Sequence, residues 1–187
     1  MSNSSFDFNA LIRESKDVLK DPKAYFSTLK TTGGIAEPVI KAVIYGLVAG
    51  VFIFLWSLLK IGPVSSGLMG GAIGFMAVIW YVVGAIIGLF IGAVILLVIS
   101  AICKGSTDFE SNIRVTAALM VMMPISAFLG FFMGISITLV TIVSLAVSLY
   151  GLYLLYHGLT QTLKADAGTS KVVVLILAAL IILFSII

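Results

Sequence analysis

The stretch VSSGLMGGAIGFMAVIWYVVGAIIGLFIGAVILLVISAIC, residues 64–103, contains no charged residue. It is about twice the ~20 apolar residues that one bilayer crossing needs. Whether it crosses once or twice decides the fold. Basic residues collect on the cytoplasmic side of a membrane, so their distribution discriminates the two readings. With one crossing, Arg13, Lys16, Lys20, Lys23, Lys30, Lys41, Lys104, Arg114, Lys164 and Lys171 share one side, and Lys60 lies opposite, a split of 10 against 1. With two crossings, Lys104, Arg114, Lys164 and Lys171 change sides and the split is 6 against 5. One crossing therefore fits. The glycine-rich beginning, 64–74, follows Pro63 and reads as an external or re-entrant segment, because glycine is poor in a helix interior. The crossing itself runs from about 75 to 103.

Outward from this stretch, further apolar runs lie at about 41–60, 113–133, 136–156 and 172–187. The chain reads as an all-α, polytopic transmembrane bundle of five spans, N-terminus inside and C-terminus outside. Composition requires lipid as solvent: 61% of the 187 residues are hydrophobic and 10% are charged, against about 25% charged in soluble domains. The formal charge of +3 comes with no dense basic run, so no nucleic-acid surface is expected. The one cysteine, Cys103, cannot form an intrachain disulfide. No Cys/His cluster suggests a metal, and no cofactor motif is present.

Residues 1–37 carry charges throughout and have no apolar core, so they are not read as a signal peptide. They read instead as a cytoplasmic amphipathic segment ahead of a membrane domain over 38–187. Phe8, Leu11, Ile12, Ser15, Val18 and Leu19 recur at helical spacing. Asp21-Pro22 is an N-cap followed by proline at the first helical position. Lys16, Lys20, Lys23, Tyr25 and Phe26 are candidate lipid- or partner-facing residues, either as an interfacial anchor or as a cover over the bundle mouth. A bundle that folds without residues 1–32 is expected.

Spaced glycines allow close helix approach in lipid. They occur at Gly46/Gly50, Gly70/Gly74 and Gly130/Gly134, and in tandem at Gly84, Gly88 and Gly92. The tandem set is expected to pack within the chain, with a homo-oligomer contact as the alternative. Thr107 and Glu110 form a capping box at the start of the third span, and Pro124 kinks it. Asp108, Glu110 and Arg114, with Asn112, form a second candidate headgroup or partner site.

The fourth span carries a hydroxyl row, Thr138, Thr141, Ser144 and Ser148, and ends in Tyr150, Tyr153, Tyr156 and His157. No ionisable side chain lies deep in any span, which argues against a coupled pump. Ser136 and His157 lie at opposite ends of one helix, roughly 30 Å apart, and cannot form a nucleophile–base pair. His157 and Cys103 read as ordinary interfacial residues.

The segment Val18 to Leu29, with Asp21-Pro22 and Tyr25-Phe26, resembles the prokaryotic branch of the Yip family, the Ypt/Rab-interacting proteins. So do Lys104 to Phe109 ahead of a span containing Pro124, and Tyr150 to Leu159 ahead of a polar loop and a short last span. The resemblance covers about residues 14–187. It implies five spans and a cytoplasmic N-terminus, and eukaryotic members are linked to Rab-type GTPases and vesicle traffic. Their Asp-Leu-Tyr-Gly-Pro signature before the first span is not found here. The expected function is non-enzymatic: organising membrane lipid or recruiting cytoplasmic partners at the inner membrane of a prokaryote. A passive channel, lipid scramblase or uncoupled transporter, built on the hydroxyl row and the Pro124 kink, is the alternative.

Overall fold

A computed structural model describes residues 7–61 and 70–186, without the side chains of 70–74 and 186. Every regular element described is helical: α1 (Phe8–Lys20), α2 (Pro22–Thr28), α3 (Ala36–Leu58), α4 (Gly70–Ile102), α5 (Phe109–Leu119), α6 (Met122–Leu129), α7 (Ile137–His157) and α8 (Ala167–Ile186). A 3₁₀ turn, Gly130–Gly134, follows α6, and a π turn, Gly158–Thr162, follows α7. Five helical segments are long and apolar enough to cross a membrane: 36–58, 75–102, 109–134, 137–162 and 167–185. The chain is a multi-pass membrane protein.

Over its described part the disputed stretch is one unbroken helix, α4, from Gly70 to Ile102. Of the segment read as external or re-entrant, 70–74 form the first turns of α4, ahead of the span at 75–102, and 64–69 lie outside the described residues. The packing of the Gly70/Gly74 pair lies outside them as well.

α3 and α4 form the tightest pair in the bundle, and glycine makes it so. A Cβ on Gly46 would stand 2.7 Å from Ala85 Cβ and 2.9 Å from the Tyr81 carbonyl oxygen. One on Gly50 would stand 2.8 Å from Val78 Cα. Only a residue without a side chain lets two backbones approach so closely. The tandem set on α4 behaves differently. Gly92 packs on α5, where a Cβ would meet Thr116 Cγ2 at 2.9 Å, but Gly84 and Gly88 are exposed with nothing within 4 Å of a Cβ. The expectation that all three pack within the chain is corrected. The inward face of α4 is Ala85, Leu89, Ala93 and Leu96 instead.

The third span is broken at Met120–Val121, between α5 and α6. Proline has no N–H to give the carbonyl four residues back, which here is Met120. The break therefore stands one turn ahead of Pro124. Beyond it, the Trp56 indole N–H donates to the Ala127 carbonyl at 2.9 Å. Trp56 also packs with Phe52, Phe128 and Phe131. Gly130 and Gly134 sit against Trp56 and Ile61. The hydroxyl row of α7 faces outward: Thr138, Thr141, Ser144 and Ser148 are all exposed. Thr141 donates back to the Ile137 carbonyl at 2.9 Å, the usual fate of a helical hydroxyl in apolar surroundings. The row lines no internal path.

Candidate functional site: a docked lid over an ion-pair ladder

α1 and α2 form a lid across one end of the bundle. Asp7 caps α1, its Oδ1 accepting from the N–H groups of Asn9 and Ala10. Asp21 caps α2 from the Ala24 N–H at 3.0 Å, with Pro22 at the first helical position. This junction is the one the Asp-Pro pair predicts. The apolar stripe of the lid turns inward. Leu11, Val18 and Phe26 are buried in one cluster with Tyr45, Val115, Leu154 and Leu159 of the spans. The lid is thus a cover over the bundle rather than a helix lying with its apolar face in lipid.

Polar contacts hold it in register. The Ser15 and Tyr45 hydroxyls are 2.8 Å apart. Tyr150 donates its hydroxyl to the Leu19 carbonyl. Thr162 donates to the Phe26 carbonyl at 2.6 Å. The last two bonds replace intrahelical partners that carbonyls at helix ends lack.

Beneath the lid runs a ladder of alternating charge. Glu14 of α1 meets Lys41 Nζ at 2.6 Å, and Lys41 meets Glu37 at 2.8 Å. Glu37 meets Arg114 Nη1 at 3.0 Å, and Arg114 Nε faces Glu110 at 3.4 Å. Glu110 then accepts from the Gly34 N–H at 2.6 Å, while Arg114 Nη2 donates to the Gly34 carbonyl at 2.9 Å. Gly33 and Gly34 adopt φ of 126° and 86°, which lets the linker turn onto the guanidinium. The cations are the buried members: the Lys41 and Arg114 side chains are 8% and 4% exposed, their acids 30% to 44%. A buried cation is tolerable only when paired and hydrogen-bonded, so each of these two bridges at least two acceptors. The ladder ties α1, α3 and α5 together.

A cavity of about 300 Å³ opens beside the ladder, lined also by Asp17, Tyr25 and Lys30. Burial, reinforced by Glu14, pushes the Tyr25 hydroxyl well above its ordinary value, so it stays neutral. The arrangement is electrostatic and structural. Among the described residues there is no group of three or more His, Cys, Asp or Glu placed to hold a metal.

The sequence-predicted site residues divide. Lys16, Lys20, Lys23 and Asp108 are exposed, as a partner-facing role requires. Tyr25 is half-buried and lines the cavity. Phe26 is 0% exposed and Arg114 5%, so both leave the list of surface-facing candidates. Phe26 is core of the lid contact, and Arg114 is the buried end of the ladder. Glu110 also turns inward, to Arg114 and Gly34. The Thr107–Glu110 capping box does not form. Asp108 caps α5 instead, accepting from the Ser111 N–H and hydroxyl at 2.8 and 2.7 Å. Those bonds hold its carboxyl below the usual range. Cys103 and His157 lie at the lid-side ends of α4 and α7 and are buried there.

Glu14, Glu37, Lys41, Tyr45 and Thr162 were missed as site residues. One signal was available: Glu37 and Lys41 are spaced i,i+4 at the start of a span, where an unpaired lysine would be costly.

The family model described as the Yip1 domain matches residues 16–187, from the middle of the lid to the end of α8. No curated protein and no solved structure shows significant similarity to the chain.

Proposed function

The chain belongs to the Yip1 domain family, and from that premise we propose that it is a non-enzymatic membrane protein that recruits partners to the face covered by its lid. The carrying observation is the docked lid itself. Its apolar stripe is committed to the bundle, so lipid anchoring does not occupy it. Its outer ridge is left free: Phe8, Ile12, Lys16 and Lys20 follow one another at intervals of four and are all exposed. Asp17, Asp21 and Lys23 beside them are exposed too. Two apolar side chains among charges of both signs suit a protein surface better than a purely anionic membrane, which favours a uniformly basic face. The lid faces the cytoplasm in this reading, because all the basic residues except Lys60 lie toward its end of the bundle. The membrane is the inner membrane of a prokaryote. The outward-facing hydroxyl row gives no support to a passive channel or scramblase.

Photocrosslinking in cells tests the reading. A crosslinker at Ile12 should give a discrete protein adduct that the combined Lys16→Glu and Lys20→Glu change removes, while a crosslinker at Ile182 gives none. Lipid adducts alone at Ile12 would favour lipid organisation instead. Adducts indifferent to the charge reversal would overturn recruitment by this ridge.

A further inference from the structure

α7 and α8 stand apart from the rest of the bundle. α8 packs chiefly on α7, and only 6% of either span's most apolar window is buried. Between them lies a groove of about 390 Å³ whose chemistry changes along its length. The deeper part is apolar, formed by Leu149, Leu152, Leu175 and Ala178, with Ala178 leaving the depression open. The lid-side mouth is polar, formed by Tyr153, Tyr156 and Lys171.

Lys171 has no ion pair among the described residues, and neither tyrosine hydroxyl has a hydrogen-bond partner there. The neighbouring acid, Asp166, is already committed to Thr169, accepting from its N–H at 2.7 Å and its hydroxyl at 2.8 Å. Lys171 is the charged side chain of the groove's lining, so the mouth is positive.

An unpaired lysine at the headgroup border of a bilayer attracts an anionic headgroup. A second copy of this chain seated on the groove by two-fold symmetry would bring Lys171 against Lys171, adding repulsion instead. A phospholipid supplies both halves of the match. Its acyl chain fills an apolar furrow and its phosphate meets cation and hydroxyl donors at headgroup depth, as in basic pockets between membrane helices.

We propose that the α7–α8 groove holds one anionic phospholipid, with its phosphate on Lys171 and Tyr156 and one acyl chain along Leu149, Leu152 and Leu175. The site is separate from the lid and does not depend on what the lid recruits.

Native mass spectrometry of the purified full chain, with added phosphatidylglycerol or phosphatidylcholine, reads it directly. The wild type should retain phosphatidylglycerol in preference to phosphatidylcholine. Lys171→Gln, an exposed position that leaves the fold intact, should lower phosphatidylglycerol retention about five-fold and erase the preference. Ala178→Phe fills the furrow and should reduce retention of both lipids. The combined Lys16→Glu and Lys20→Glu change in the lid should leave retention unaltered, which separates this site from the proposed recruitment face. Should Ala178→Phe fail to fold, Lys171→Gln decides alone. Undiminished phosphatidylglycerol preference in Lys171→Gln would overturn the site. So would efficient disulfide cross-linking between two Val174→Cys chains in phosphatidylglycerol membranes, because a second copy would then occupy the groove.

Discussion

Replacing Phe26 by alanine should open the lid. The ring has no exposed surface and packs edge-on to Tyr25, with centroids 5.3 Å apart. Its far edge lies beside Gly158, where a Cβ would come within 3.6 Å of it. Truncating a fully buried phenylalanine costs about 3–5 kcal/mol, transfer and cavity terms together. Here the loss falls on one local equilibrium, because Phe26 is the apolar centre of the contact between α2 and the π turn. At ~1.4 kcal/mol per factor of ten, the open lid should become roughly 100- to 4,000-fold more populated. Trypsin reports it. Lys16, Lys20 and Lys23 are exposed, yet a protease must unwind a helix to cut it. With dilute protease the cleavage rate follows the open population. In detergent, Phe26→Ala should be cut at these lysines faster by that factor, or until the lid is wholly open. Circular dichroism should show the spans still helical. Cleavage at the wild-type rate would refute the claim that the lid is held by this ring. By the same reasoning, deleting residues 1–32 strips Tyr45, Val115 and Leu154 of their cover and should destabilise the bundle. The sequence alone had suggested that the bundle folds without them.

Gly46→Ala should cost about 1–3 kcal/mol through overpacking at the α3–α4 crossing, whereas Gly84→Ala and Gly88→Ala should be neutral or stabilising; thermal unfolding in detergent ranks the three. The Asp108 carboxyl is depressed in the fold, so its contribution to stability is present above the ordinary carboxylate pKa and falls away as pH drops below about 4. Asp108→Asn should therefore flatten the acid limb of a melting-temperature profile. Membrane-impermeant thiol labelling of intact cells should modify a Lys60→Cys chain and spare Lys20→Cys and Thr107→Cys; labelling at Thr107 and not at Lys60 would invert the proposed orientation. A reporter at Ala165 would be silent either way, because that residue is buried.

The five spans were legible because lipid imposes two coarse constraints, length and charge sidedness. Eleven basic residues suffice to count crossings. The Asp21-Pro22 junction was legible because capping is local chemistry. What could not be read were choices made by the neighbours of a residue. Thr107 and Asp108 both offer a cap, and Asp108 won because Glu110, the partner Thr107 needed, was drawn to Arg114 and Gly34. Gly84, Gly88 and Gly92 share a spacing, but only a Cβ on Gly92 would meet another helix, at Thr116 of α5, because Gly84 and Gly88 lie on the exposed side of α4. Arg114 looked like a surface group because its three partners come from Gly34, Glu37 and its own helix, two of them about 80 residues away in sequence. Sidedness counts charges; it does not pair them.

The uneven distribution of the core has a mechanical consequence. In α3 the buried residues run from Pro38 to Gly50, with Ser57 beyond them; in α7 they are only Leu154 and His157, both at the lid end. The lid-side half of the molecule is keyed together, and α3 stays packed on α4 and α6 beyond it, whereas the distal halves of α7 and α8 turn most of their side chains outward. A bilayer of different thickness places its mismatch on whichever part yields first, at fractions of a kcal/mol per Å. Here that part is the distal half of α7 and α8. Thinning or thickening the membrane should splay or straighten the distal ends of α7 and α8, while the geometry under the lid stays constant.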